Sequence, residues 1–182
     1  MLGSHDSFTY LKAKNPIYEL FSWLWRTQTK SIKEQAKIGV SYLDVRVHYN
    51  YEDYKWEFCH GLVNFNKEYF LLSDILNEYK DFKIRLILEK GNEDKFIKEF
   101  EDIKEYSNLD LVAIKKNWKV LKQTKYYIDD YSYIPFYSDL SFWNNIKRMN
   151  WFNTIKRWAK THNPLITKKM INSSIVYFLD RV

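Results

Sequence analysis

Val40-Ser41-Tyr42-Leu43-Asp44-Val45-Arg46-Val47-His48 is the stretch from which the fold can be read. Its residues alternate. As a strand it puts Leu43, Val45 and Val47 on one face and Tyr42, Asp44, Arg46 and His48 on the other, so polar groups dominate the second face. Upstream, Ser31 with Glu34 three residues later forms a capping box opening a helix that Gly39 ends, and Ile17 to Trp25 is apolar at helical spacing after Pro16. Two short helices therefore precede the strand. Downstream, Trp56 to Cys59 reads as a short strand, Phe70 to Tyr79 as a helix and Lys83 to Glu89 as a buried strand rich in Ile and Leu. Asn92 to Tyr106 follows as a helix, Leu109 to Ile114 as a strand, Ser141 to Lys160 as a basic aromatic helix and Ile175 to Leu179 as a last apolar strand. Strands alternating with helices predict an α/β fold built on a parallel sheet or barrel.

The chain has 182 residues, which is room for one domain spanning 1–182. With 46% hydrophobic and 29% charged residues and only 4 Gly and 3 Pro, the composition is globular and excludes a collagen-like or low-complexity chain. The single cysteine, Cys59, excludes an internal disulfide framework and a cysteine-based metal cluster, and it reads as a small buried hydrophobe. A net charge of +6 biases the molecule toward phosphates or anionic membrane surfaces. Neither a signal peptide nor an 18-residue apolar run is present, so the expected location is the cytoplasm or the periphery of a membrane surface.

Several polar residues fall at or near the C-terminal ends of strand candidates. His5 follows Met1-Leu2, Arg46 sits late in its strand, His60 follows Cys59, and Glu89 and Asp180 each end an apolar run. In (β/α) barrels that rim is where reactive side chains converge, so the pattern predicts one site. Two imidazoles, a guanidinium and carboxylates suit phosphodiester chemistry without a metal. One imidazole takes the proton of an attacking hydroxyl, the other protonates the leaving oxygen, and the guanidinium stabilises the phosphoryl charge. The bland readings are a structural ion pair for Asp44 and Arg46, a solvent-exposed end residue for Asp180, and no catalytic role for His48 and His162.

Gly3-Ser4-His5-Asp6-Ser7-Phe8-Thr9-Tyr10, Thr27-Gln28 with Ser31-Ile32-Lys33-Glu34-Gln35, Gly39 to Arg46, and Cys59-His60-Gly61-Leu62 occur in this order along the chain. In these motifs the chain resembles the X domain of phosphatidylinositol-specific phospholipases C. The resemblance is dense over the first third and weaker at Leu86 to Glu89 and Ile175 to Asp180. It implies a TIM-type (β/α) barrel, compact or incomplete here because only Met1 and Leu2 precede Gly3 and the chain is short. It further implies His5 as general base, His60 as general acid, Asp180 orienting His5, Asp6 partnering His60, and Asp44 organising the centre beside Arg46. The products would be diacylglycerol and inositol 1,2-cyclic phosphate.

Arginine at position 46 resembles the bacterial members, which are metal-independent, whereas the eukaryotic enzymes place a calcium-binding carboxylate there. Glu89 resembles a position where the calcium enzymes have a ligand and the bacterial ones a lysine, but a guanidinium beside it opposes a cation. No cofactor is expected, and calcium is disfavoured. Glu89, Lys90, Tyr137, Asp139 and Trp143 are the substrate-binding candidates. The expected partner is an inositol phospholipid at a membrane surface, met by a monomer. Ile146 to Lys160 mixes basic and aromatic residues as an interfacial or a barrel-covering helix would. A rival reading is a catalytically weak X-like domain that binds inositol lipids or a membrane partner. Charge and aromatics alone support no specific nucleic-acid binding.

Overall fold

A computed structural model describes residues 1–22, 25–124, 127–129 and 175–179. The first strand, β1 (Leu2–Ser4), is three residues long and fully buried. Helix α1 (Pro16–Leu20) starts on an Asn15 cap whose side chain accepts from the Ile17 N–H. It covers only the first half of the apolar run predicted as a helix to Trp25. Ile17 and Leu20 are exposed, so no buried stripe extends it. Helix α2 (Ile32–Lys37) opens where the capping box places it, with the Ser31 N–H donating to Glu34 Oε2 at 2.8 Å. Gly39, at φ +94°, takes the left-handed turn that ends it.

The long strand β2 (Val40–Asn50) pairs in parallel with β1 on one side and with β5 (Lys83–Lys90) on the other. Between them lie β3 (Lys55–His60), β4 (Val63–Tyr69) and α3 (Leu72–Glu78). Then follow α4 (Glu93–Ile103), β6 (Leu109–Ile114), β7 (Lys119–Gln123), β8 (Tyr127–Asp129) and β9 (Ile175–Leu179). The main run of the sheet is β7-β6-β5-β2-β1-β9-β8, parallel except for β7, with β3 and β4 attached to β2 off this run. Its two ends do not meet among the described residues, which form a mixed α/β sheet with a parallel core and no clear closed barrel. Strands β4, β7 and β8 are not among those predicted, although Val63 and Phe65 alternate with Asn64 and Asn66 as strand residues do, while Lys119–Gln123 is largely exposed.

Strand β3 corrects the reading of the rim. It pairs antiparallel with β2, from Asn50↔Lys55 to Val47↔Phe58, and β4 pairs antiparallel with β3. The C-terminal end of β3 therefore points back down β2 toward Arg46, and His60 joins the site because a hairpin returns it there.

The two faces of the sheet carry different chemistry. Leu43, Val45, Val47, Ile84, Leu86 and Leu88 join the buried faces of α3 and α4 in one apolar core. The opposite face of β2 is polar yet buried: Tyr42, Asp44 and Arg46 are all shielded from solvent. Phe8, just after the site's first histidine, stacks on Phe58 of β3 with centroids 3.9 Å apart, locking the β1 loop to the hairpin that carries the second. Phe58→Ala should lower the unfolding free energy by about 3–5 kcal/mol in urea denaturation. A loss below about 1 kcal/mol would show that this stack does not hold the hairpin.

Candidate functional site

Asp6 stands at the centre. It follows β1 directly at φ +44°, a left-handed conformation that Asp tolerates better than most residues, and this turns its carboxylate back over the strand ends. Its N–H donates to Asp44 Oδ2 at 3.2 Å, while Ser7 bridges by donating its hydroxyl to Ser4 O at 2.7 Å and accepting the Asp44 N–H at 2.9 Å. The loop is fixed on its far side as well. Gln28 Nε2 and Thr27 Oγ1 donate to the His5 carbonyl at 2.8 and 3.2 Å.

Arg46 lies beneath this loop. Its Nε is 2.5 Å from Asp6 Oδ1, its Nη2 donates to Asp44 Oδ2 at 3.1 Å, and its Nη1 reaches Glu89 Oε2 at 3.5 Å. All four groups are buried. Asp44 is met from the other side by Arg85, its register partner on β5, with Nε 3.7 Å from Oδ1. Glu89 enters the cluster through an irregularity in pairing: Val47 pairs with Leu88 and His48 with Lys90, so the register skips Glu89. That bulge lets its carboxylate meet Arg46, the Gly61 N–H at 3.1 Å and the Lys115 ammonium.

Burial alone would push the carboxyls of Asp6 and Asp44 up. Arg46, together with His5, His60 and Lys115 at Asp6 and with Arg85 and His5 at Asp44, outweighs it, and both are held below the usual carboxylate range. Arg46 feels the converse: burial disfavours its charge, and Asp6, Asp44 and Glu89 hold the proton firmly on it. The balance matters because unpaired charges at this depth would cost several kcal/mol each, on the order of the buried-ion penalty.

The two histidines face this cluster differently. His5 Nε2 lies 3.2 Å from Arg46 Nη2, and a guanidinium can only donate, so Nε2 accepts there. His60 Nδ1 lies 3.0 Å from the Trp25 carbonyl and Nε2 lies 3.1 Å from Asp6 Oδ2. Both its nitrogens face acceptors, an arrangement fully satisfied only when both carry protons. His5 Nε2 is 3.5 Å from the same Asp6 Oδ2. Two rings with opposite hydrogen-bonding preferences thus converge on one anionic oxygen.

His5, Asp6 and Asp44 hold ligand atoms close enough together for a metal ion. As arranged they do not fit a resident cation, because Arg46 already occupies Asp6 Oδ1 and Asp44 Oδ2 and places a fixed positive charge beside them.

The structure brings together six of the residues predicted from sequence, His5, Asp6, Asp44, Arg46, His60 and Glu89. Lys90 pairs in register with His48, and none of the described contacts links it to Arg46 or to His5 or His60. The cation at Glu89 is instead Lys115. Asp180, Tyr137, Asp139, Trp143, His162 and the helix predicted over Ser141 to Lys160 lie outside the described residues. His48, read as non-catalytic, bonds Glu57 through Nε2 at 3.0 Å in a separate cluster with Lys14. Sequence reading missed Lys115, Arg85 and the supporting role of Gln28. Lys115 had a usable signal, since it directly follows the apolar run Leu109 to Ile114 just as Glu89 ends its own run.

No protein-family model matches the chain, and no curated protein matches it. Among solved structures, the phosphatidylinositol-specific phospholipase C of Listeria monocytogenes is similar over 100% of this chain and 87% of its own, with a TM-score of 0.62 at 16% identity. The phosphatidylinositol-specific phospholipase C of S. aureus, described for modulation of its membrane binding, is similar over 100% of this chain and 85% of its own, with a TM-score of 0.57 at 16% identity. At that identity the likeness is one of fold. The chain therefore shares an α/β architecture with bacterial enzymes of this kind.

The ion pairing around Asp6 has a pH signature. Because its folded carboxyl is held below the ordinary Asp range, the stabilisation it provides is complete above roughly pH 4 and fades as pH falls through that value toward the folded one. The gap in urea midpoint between the wild type and Asp6→Asn should thus be wide at pH 6 and narrower at pH 3. A gap that stays constant or widens on acidification contradicts the pairing.

Proposed function

We propose that this protein is a phosphodiesterase that cleaves phosphatidylinositol, or a glycosylated inositol lipid, on the glycerol side of the phosphate. The observation carrying the reading is the convergence of His5 Nε2 and His60 Nε2 on Asp6 Oδ2, at 3.5 and 3.1 Å, beside the Arg46 guanidinium. A phosphodiester bound beside that oxygen lies within reach of two imidazole nitrogens and a fixed cation together.

In the scheme this supports, His5 takes the proton of the inositol 2-hydroxyl, whose oxygen bonds to phosphorus. The bond from phosphorus to the glycerol oxygen breaks, and His60 delivers its Nε2 proton to that oxygen. Diacylglycerol and inositol 1,2-cyclic phosphate leave, with His5 protonated and His60 neutral. In a second step His60 takes a proton from water as its oxygen bonds to phosphorus, the bond from phosphorus to the 2-oxygen breaks, and His5 returns its proton to that oxygen, giving inositol 1-phosphate. Arg46 stabilises the phosphoryl charge in both steps, fixed by Asp44 and Asp6 so that little reorganisation accompanies reaction. Asp180 is assigned the orientation of His5 by resemblance alone.

A lipid substrate asks for contact with a bilayer. Ile17 and Leu20 of α1, Phe21 after it, and Leu62 two residues beyond His60 are exposed apolar side chains. Together with the charge of +6 they support docking on an anionic surface. Among the described residues no helix is long and apolar enough to cross a membrane.

Incubated with phosphatidylinositol vesicles and a chelator, the purified protein should release inositol 1,2-cyclic phosphate detectable by phosphorus NMR. His5→Ala and His60→Ala should each lower that rate by about 100-fold or more. Absence of turnover across inositol lipids and pH would remove the enzymatic reading, and vesicle binding that survives both replacements would favour a lipid-binding domain in its place.

A further inference from the structure

One cation at the site has no place in the two-histidine scheme. Lys115, immediately after β6, sets its ammonium on Glu89 Oε1, which also accepts the Gly61 N–H at 3.1 Å. The other Glu89 oxygen lies 3.5 Å from Arg46 Nη1, so a single carboxylate separates guanidinium from ammonium. The pair is asymmetric in exposure: the Glu89 side chain is 2% exposed and that of Lys115 is 31% exposed. Lys115 shares the neutralisation of Glu89 with Arg46, which also faces Asp6 and Asp44. What the arrangement does build is a second positive group, anchored from below by a buried carboxylate and open on its outer side. An ammonium has three donors, and the described contact with Glu89 uses one.

We propose that Lys115 is a substrate-binding residue whose ammonium takes a phosphoryl oxygen of the ligand beside Arg46, with Glu89 as its positioning residue. The inference rests on the reading of the site as one for phosphodiesters. A phosphoryl oxygen is the matching chemistry because it carries charge, and charge-assisted bonds are the ones worth holding a flexible lysine in place for. The oxygen can belong to the scissile phosphodiester or to a phosphate on the inositol ring, and the Gly61 bond couples the same carboxylate to the turn that follows His60.

The test compares the wild type with Lys115→Gln, Lys115→Arg, Glu89→Gln and the Lys115→Gln/Glu89→Gln pair. Inositol 1-phosphate binding is measured by calorimetry, which needs no turnover. Kinetics are measured on vesicles containing phosphatidylinositol and on vesicles containing phosphatidylinositol 4-phosphate. Lys115→Gln should raise KM about tenfold with a smaller change in kcat and Lys115→Arg should recover most of the loss, while Tm should fall only slightly, because Gln still offers Glu89 an N–H donor. Glu89→Gln should weaken inositol 1-phosphate binding less in the Lys115→Gln background than in the wild type if Glu89 positions Lys115, the part that persists reporting its contact with Arg46. A tenfold effect on both lipids, with weaker inositol 1-phosphate binding, assigns the oxygen to the phosphodiester. An effect confined to the 4-phosphate lipid assigns it to the ring phosphate. The inference is overturned if Lys115→Gln leaves affinity and both KM values within twofold, or if arginine rescues no better than glutamine. A wild type that binds inositol 1-phosphate through Lys115 and cleaves neither lipid keeps this inference and ends the phosphodiesterase reading. Equal cleavage by wild type and Lys115→Gln does the reverse, and a wild type that neither binds nor cleaves ends both.

Discussion

A buried guanidinium organises this molecule's polar side. Arg46 comes from the middle of the longest strand and is surrounded by Asp6, Asp44 and Glu89, with His5 on its remaining edge. None of these groups is stable at such depth alone, because an ion removed from water costs far more than a hydrogen bond returns. Their mutual pairing fixes three chain segments that are remote in sequence: the loop after β1, the centre of β2 and the end of β5. Arg85 and Lys115 extend the same alternation of sign to either side. The positive charge near the phosphoryl position is thus part of the fold's own electrostatic balance. This is why a divalent ion has no ready place there.

Within that frame, proton preference is set by what each ring faces. His5 Nε2 looks at a group that can only donate, and His60 presents both nitrogens to acceptors. Identical side chains receive different tasks from neighbours, one of which is the backbone carbonyl of Trp25. Asp6 joins the two halves, since its Oδ2 faces both rings and its Oδ1 faces Arg46. The left-handed backbone at Asp6 is the local strain that makes this possible.

Much of the site could be read from the chain alone. The alternation from Tyr42 to His48 separates an apolar face from a polar one whatever the partners are, because strand geometry sends neighbours to opposite sides. Asp44 and Arg46, two residues apart, must then share a face. Asp6 could not be placed so simply: its position depends on a positive φ, and no periodicity reports that. His60 was found for an incomplete reason, as the end of a strand, when the decisive fact is that β3 reverses on β2. Glu89 was legible as a strand end, but the register slip that aims it was not, and Lys115 was overlooked although the same rule marks it.

The sequence by itself determined the periodicities, the caps at Ser31 and Gly39, the buried apolar face and the set of titratable residues available, since these are properties of short stretches governed by local sterics and hydrophobic burial. Only the tertiary structure decided which charges neutralise which, in what order the described strands pair, and which nitrogen of each histidine is turned inward. Those depend on groups tens of residues apart coming within a few ångströms, where one residue of slip in a strand or one left-handed turn exchanges a buried partner for solvent.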